Sequence, residues 1–311
     1  MLNHLEDFLL HIQINNYSPE TLYNYERDLK TFENFLQDEA KVSFEKITKK
    51  TIEQYKAYLV SSDRRTALNQ KSEKRLTASS INRVLSSLRG YLKYLIKMDY
   101  NAPVAPEAIE LLRTGKKHAR IGEFGEIKKL IEFPTDFEKN EVVGLRNRAI
   151  LETLFSTGMR ISELTNLKIN DIDKSGTIFI KGKGKKERFA YLTNRAKKQI
   201  KNYLEVRGKY ESPYLFLPYR GKNVNKKDKK ISPNYLEGKV KKYRELLGFN
   251  VPINVHGIRH AFATYLAENG ASPVAIQTLL GHESLNTTTR YVHASDQYAK
   301  KTLQKHHPLK D

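Results

Sequence analysis

Residues 255–264, VHGIRHAFAT, set two histidines around an arginine. At helical spacing His256, Arg259 and His260 share one face. Three readings compete: a metal site, a phosphate clamp and an ordinary helix start. A zinc hydrolase with histidines four apart wants a glutamate directly after the first, and Gly257 stands there instead. Arg259 between the histidines would repel a cation, and the chain has no cysteine to supply a thiolate. No metal is therefore expected. A helix start does offer unpaired N–H groups to an anion, and a guanidinium one turn on can grip two phosphate oxygens. Within these ten residues alone, the plainer reading, an arginine in a surface salt bridge and a histidine used as a cap, prevails.

Three other segments shift that balance. STGMRISEL (156–164) puts Arg160 just after a helix-ending glycine, Gly158, at a corner between elements. KGKGKKER (181–188) puts Lys183 at the tip of a hairpin, among Lys181, Lys185 and Lys186. LLGHESLNTTTRYVH (279–293) carries His282 and, nine residues on, Tyr291. Taken singly, each is as readily structural; Tyr291 is one of 18 tyrosines.

Charge points the same way. Lys and Arg number 55 against 35 Asp and Glu, a net charge of +20 that attracts polyanions, nucleic acid before others. The alternative is a basic surface that is merely solvated. No run of about 18 apolar residues exists, so no membrane span is expected. The start, MLNHLEDFLLHIQINNYSPE, lacks the basic-then-apolar layout of a signal peptide. With no cysteine for disulfides, a cytoplasmic protein fits.

The length of 311 residues suggests one large or two ordinary domains. The N-terminal part reads as helices. Ser18 and Pro19 open one, with Leu22, Tyr25, Leu29, Phe32 and Leu36 on its buried stripe. Thr48 caps a second, with Ile52, Tyr55 and Leu59 inward. Thr77 caps a longer one carrying Ile81, Val84, Leu88, Leu92 and Leu95. The polar, basic stretch SSDRRTALNQKSEKR (61–75) between the last two is a loop, either solvated or facing DNA. Pro103 and Pro106 then stop helix growth, and Lys116, Lys117 and Arg120 make the next segment basic. The expected organisation is a helical clamp over 1–105, a basic linker over 106–120 and a second domain over 121–311. In that second domain a helix ends at Gly158. Strands follow at Thr177–Lys181 and Glu187–Leu192, then a helix near 195–207. GKNVNKKDKK (221–230) should be a mobile surface loop, and the chain is helical from Ser232 onward. The fold class is mainly α with a small β-hairpin.

Taken in order, TGMRISEL, KGKGKKER, HGIRH, LGHES and TTTRYVH resemble the boxes of the tyrosine recombinases, the integrase family of site-specific recombinases. Arg259 and His282 stand twenty-three residues apart, and His282 and Tyr291 nine, spacings typical of that family. SPETLYNYERDLKTFENFL (18–36) is similar to the family's N-terminal DNA-binding helices, a SAM-like domain. LQKHHPLK (303–310) is similar to the tails of its Xer subgroup. Met159 and Ile258 replace commoner leucines at similar volume, and Asn147 stands where an aspartate is frequent.

The resemblance implies a SAM-like helical domain, an α+β catalytic domain, and DNA cutting and rejoining through a 3′-phosphotyrosyl intermediate. Arg160, Lys183, His256, Arg259, His282 and Tyr291 are the implied catalytic set, with no cofactor and no metal. Arg160 and Arg259 would hold the non-bridging oxygens of the scissile phosphate. Tyr291 would be the nucleophile, His256 its proton acceptor, and Lys183 the proton donor to the departing 5′ oxygen. His282 would bond the phosphate or orient the tyrosine. Glu163 would orient a helix or an arginine, and His260 would buttress. The implied partners are double-stranded DNA bearing an inverted-repeat site and three further copies of the chain on two duplexes, with segment 295–311 docking on a neighbouring protomer or, as the alternative, its last residues folding back on their own chain. Without an N-terminal arm-binding domain, a Xer-like chromosome-dimer resolvase is the first expectation. A simple phage, plasmid or transposon integrase is the second. A type IB topoisomerase and a non-catalytic DNA-binding regulator are the remaining classes.

Overall fold

The computed structural model describes residues 2–62, 64–68, 70, 75–115, 122–181, 187–208, 212–221, 224 and 227–281. The chain divides into two compact units, Met1–Lys117 and His118–Asp311.

The first unit is helical. Its elements are α1 (Leu5–Ile14), α2 (Pro19–Phe35), α3 (Lys49–Val60) and α4 (Ala78–Lys97). Each expected cap is in place. Ser18 Oγ accepts from the Thr21 N–H at 3.3 Å, with Pro19 in the first turn where its missing N–H costs nothing. Thr48 and Thr51 bond each other reciprocally, and Thr77 accepts from the Ser80 N–H at 3.2 Å. The inward faces bring together Leu29, Phe32, Ile52, Tyr55, Leu59, Leu88, Tyr91, Leu92 and Leu95, all essentially water-free. Burying each such side chain contributes roughly 1.5–3 kcal/mol, and truncating Leu88 to Ala would cost about 2–5 kcal/mol. Asp28 is buried beneath α4, where Ser87 Oγ at 2.9 Å and Arg83 donate to its carboxylate. Helix α1 was not expected from the sequence. Its N-cap, His4, makes no side-chain capping bond, and Leu10 and Ile14 stay exposed while Phe8 and Ile12 are buried. The helix forms because those two side chains pack on the core, not because its ends announce it.

In the second unit α5 (Phe124–Phe137) and α6 (Glu141–Thr157) pack side by side. The short α7 (Ile161–Thr165) follows, then β1 (Thr177–Lys181), β2 (Glu187–Tyr191), α8 (Asn194–Arg207), α9 (Pro233–Leu246), α10 (Val255–Glu268) and α11 (Pro273–Leu280). Helix α6 is the spine. It touches α5, α8, α10, α7 and β2, and its Ile150, Leu151 and Leu154 belong to the same buried core as Ile178, Ile180 and Ala190 from the sheet. The two strands are antiparallel with Phe179 opposite Phe189 and Ile180 opposite Arg188. Alternation turns Arg188 and Ala190 inward, and leaves Glu187, Phe189 and Tyr191 outward. The expected strands are present, the second ending at Tyr191 rather than Leu192. Described residues of 221–230 form neither helix nor strand.

Asn147, the departure from the usual aspartate, lies in a buried network away from the Arg160 corner. Its Oδ1 accepts from Arg146 Nε at 3.1 Å and Nη2 at 2.9 Å, and its amide donates to Tyr243 Oη at 2.6 Å. Arg146 also donates to the Leu217 carbonyl and lies against the rings of Tyr219 and Tyr235. The buried cation is thus satisfied by neutral acceptors and π faces.

Candidate active site

Two glycine-ended helices build the site. Gly158 closes α6 in the left-handed region at φ 58°, and Gly281 closes α11 at φ 63°. Neither position has room for a side chain. A Cβ on Gly158 would stand 2.5 Å from a Phe262 ring carbon, and one on Gly281 would stand 2.9 Å from Arg188 Cδ. The last carbonyls of an α-helix lack intrahelical partners and carry partial negative charge. Here arginines supply the donors.

Arg259, on the first turns of α10, donates through Nη1 to the Gly158 carbonyl and through Nη2 to the Leu280 carbonyl at 2.8 Å. Arg160 reaches the next carbonyl, Gly281, at 3.4 Å. The two arginines expected to share one phosphate therefore meet at consecutive residues of the α11 terminus. Their exposures differ: Arg259 is buried, whereas the Arg160 side chain is 46% exposed. Arg160 is held from behind by Glu163, whose Oε2 accepts the Arg160 main-chain N–H at 2.7 Å and whose Oε1 accepts Arg160 Nη1 at 3.0 Å. Glu163 is the orienting partner expected from the sequence.

Helix α10 begins at Asn254, whose Oδ1 accepts the Gly257 N–H at 2.7 Å, so His256 is free of the capping role considered for it. Its ring meets that of His260 edge-on at 4.4 Å between centroids. The His256 pKa lies below the ordinary imidazole value of 6.5, through partial loss of hydration first and then the charges of Arg259 and Arg160. Both effects favour the neutral ring, the form able to take a proton.

Sequence reasoning passed over one residue, Arg188. It sits on β2 with its guanidinium paired to Glu163 through two parallel bonds, Nη1 to Oε1 at 2.9 Å and Nη2 to Oε2 at 2.8 Å. Its Nε donates to the Leu279 carbonyl at 3.0 Å. Three arginines thus attend three successive carbonyls, 279 to 281, two of them sharing the Glu163 carboxylate, and the cluster carries a positive excess. An arginine at an inward position of a strand needs buried acceptors, and that alternation was the available signal. Lys183, His282 and Tyr291 lie outside the described residues. Among those described, no group of three or more His, Asp or Glu side chains gathers as a metal site, and no helix is long and apolar enough to cross a membrane.

The phage integrase family profile matches residues 123–298. The chain belongs to the phage integrase family. A second profile, the phage integrase N-terminal SAM-like domain, matches residues 5–98. Tyrosine recombinase XerC of Pelobacter propionicus is 34% identical over 316 residues, covering 99% of this chain and 96% of that protein. The crystal structure of the XerH site-specific recombinase bound to difH substrate aligns with a TM-score of 0.68 at 23% identity, over 90% of this chain and 78% of that one. The Tn1549 transposon integrase in complex with transposon right end DNA aligns with a TM-score of 0.72 at 17% identity, over 96% and 97%. At those identities the two structures speak to the fold. The family, the mainly helical fold with its SAM-like domain, and the class of enzyme expected from the sequence, a Xer-like tyrosine recombinase, are borne out.

Proposed function

We propose that the chain resolves DNA by conservative strand exchange: four copies act on two duplexes at inverted-repeat sites, through a Holliday junction, to separate chromosome or plasmid dimers in the cytoplasm. The observation that carries the reading is the meeting of Arg160 and Arg259 at the ends of α6 and α11, with His256 near enough to feel the charge of both. A phosphodiester is anionic and resists attack by a second anion. Two guanidinium groups on its non-bridging oxygens offset that charge and stabilise the extra charge of the pentacoordinate transition state.

Tyr291 attacks phosphorus through its phenol oxygen while the P–O5′ bond breaks. A free phenol, with a pKa of about 10, is ionised in only about one molecule per thousand at neutral pH, so a base is needed. His256 takes the phenol proton, and Lys183 gives one to the departing 5′ oxygen. His282 bonds the phosphate or the tyrosine. The phosphotyrosyl ester keeps the energy of the broken bond, and religation is the same step reversed, without ATP.

The test is a nicked suicide duplex. The wild type should form a denaturant-resistant 3′-phosphotyrosyl adduct, and Tyr291→Phe should bind the duplex and form none. An adduct on Tyr291→Phe would remove Tyr291 as nucleophile. Plasmids with and without an inverted-repeat site separate recombination from unspecific relaxation of supercoils. DNA affinity should fall steeply with salt as counterions are released, and a flat response would contradict a grip on the phosphate backbone.

A further inference from the structure

The Glu163 carboxylate has four donors. Each oxygen serves Arg160 once and Arg188 once: Oε1 takes Arg160 Nη1 at 3.0 Å and Arg188 Nη1 at 2.9 Å, and Oε2 takes the Arg160 N–H at 2.7 Å and Arg188 Nη2 at 2.8 Å. The two arginines on this carboxylate are placed very differently. Arg160 is 46% exposed, while the Arg188 side chain is only 7% exposed and packs its Cδ against Gly281. Nε, Nη1 and Nη2 of Arg188 are each already bonded, to the Leu279 carbonyl and to the Glu163 carboxylate.

We propose that Arg188 is a positioning residue for strand cleavage: by holding Glu163, it fixes Arg160 toward the scissile phosphate and keeps the charge of Arg160 available to it. The inference rests on the recombinase reading above. Its logic is electrostatic and geometric. A lone Arg160–Glu163 pair is neutral overall, and a neutral pair attracts a phosphate weakly. Sharing the carboxylate with a second, buried guanidinium leaves the trio with one net positive charge, on the side where Arg160 is exposed. The planar fork of Arg188 also fixes the plane of the carboxylate, because two parallel bonds allow no rotation. The third bond, Arg188 Nε to the Leu279 carbonyl, ties this plane to the α11 terminus where Arg259 and Arg160 also bond. Burial alone would raise the Glu163 pKa. The hydrogen bonds from Arg188 and the Arg160 N–H, with the charges of both arginines, bring it down to about 2, so the carboxylate stays ionised throughout the working range.

The experiment uses the full chain and two suicide duplexes, one with an ordinary phosphodiester at the scissile position and one with a neutral methylphosphonate. Adduct formation is followed in single turnovers at saturating DNA for wild type, Arg188→Lys, Arg188→Met, Arg160→Ala and the Arg160→Ala/Arg188→Lys double variant. On the phosphodiester, the Arg188 variants should cleave about 10- to 100-fold more slowly, by analogy with losing an electrostatic donor, with DNA dissociation constants within about threefold of wild type. On the methylphosphonate, which has no charge to neutralise, that deficit should shrink at least about tenfold, as it should for Arg160→Ala. The double variant should be no slower than Arg160→Ala alone. The ratio of the two rates within one variant does not depend on how much of it is folded, so partial unfolding cannot mimic the result. Equal loss on both substrates, additive loss in the double variant, or unimpaired cleavage by Arg188→Met would overturn the proposal. Absence of any adduct from the wild type would instead overturn the recombinase reading, and this inference with it.

Discussion

Arg259 Nη2 donates to the main-chain carbonyl of Leu280 at 2.8 Å, while Nη1 of the same guanidinium donates to the carbonyl of Gly158, the residue that closes α6. A residue proposed to bind substrate is thereby also a structural rivet between two helix ends. Arg259→Lys should therefore fail twice. A lysine ammonium has no planar fork to span both carbonyls. Adduct formation should fall on the order of 10²–10³-fold, and unfolding by denaturant should show a loss of about 1–3 kcal/mol. A rate loss with stability unchanged would contradict the rivet.

Gly158→Ala tests the corner itself. The left-handed backbone at φ 58° costs a residue with a Cβ about 1–2 kcal/mol, and the Phe262 ring 2.5 Å away must move as well. The expected thermal unfolding shift corresponds to about 2–4 kcal/mol in total. A variant as stable as wild type would show that the α6 terminus can rearrange freely.

Glu163 gives a pH signature in stability. Its folded pKa of about 2 lies below the ordinary 4.5, so it stabilises the fold fully above about pH 4.5, and that contribution is lost as pH falls toward 2. The span corresponds to at most about 3 kcal/mol. Glu163→Gln, measured by denaturant titration from pH 7 to 3, should be less stable than wild type at neutral pH, and the gap should close on acidification. A gap constant with pH would mean that the carboxylate charge contributes nothing.

For His256 the readout is rate. As proton acceptor it must be neutral, and its pKa is already depressed below 6.5 by lost hydration and by Arg259 and Arg160. Single-turnover cleavage should be flat near pH 7 and fall through an apparent pKa below 6.5. In Arg160→Ala the acid limb should move upward, since one repelling charge is gone. An unmoved limb would assign the titration to another group.

Much of this was legible in the chain because it depends on neighbours in sequence. Ser18, Thr48 and Thr77 cap helices through bonds three residues long, and Gly158 marks its corner through its own backbone. Helix α1 was hidden because its cap is a histidine and its apolar residues lie on more than one face. Helix α5 was hidden because Pro134 inside it reads as a breaker. Arg160, His256 and Arg259 were singled out from boxes that carry their own spacing. Arg188 was passed over because what gives it meaning, Glu163, lies twenty-five positions earlier and meets it only in the folded unit.

The strand pairing in which Ile180 faces Arg188 sets a rule for anyone re-engineering the hairpin. Side chains alternate, so shifting β2 by a single position would swing Arg188 into solvent and drive Glu187 or Phe189 toward Glu163. Substitutions at the outward positions Glu187, Phe189 and Tyr191 keep that alternation and should be tolerated by the fold. Deletion of one residue inside β2 should not, however conservative it looks in an alignment.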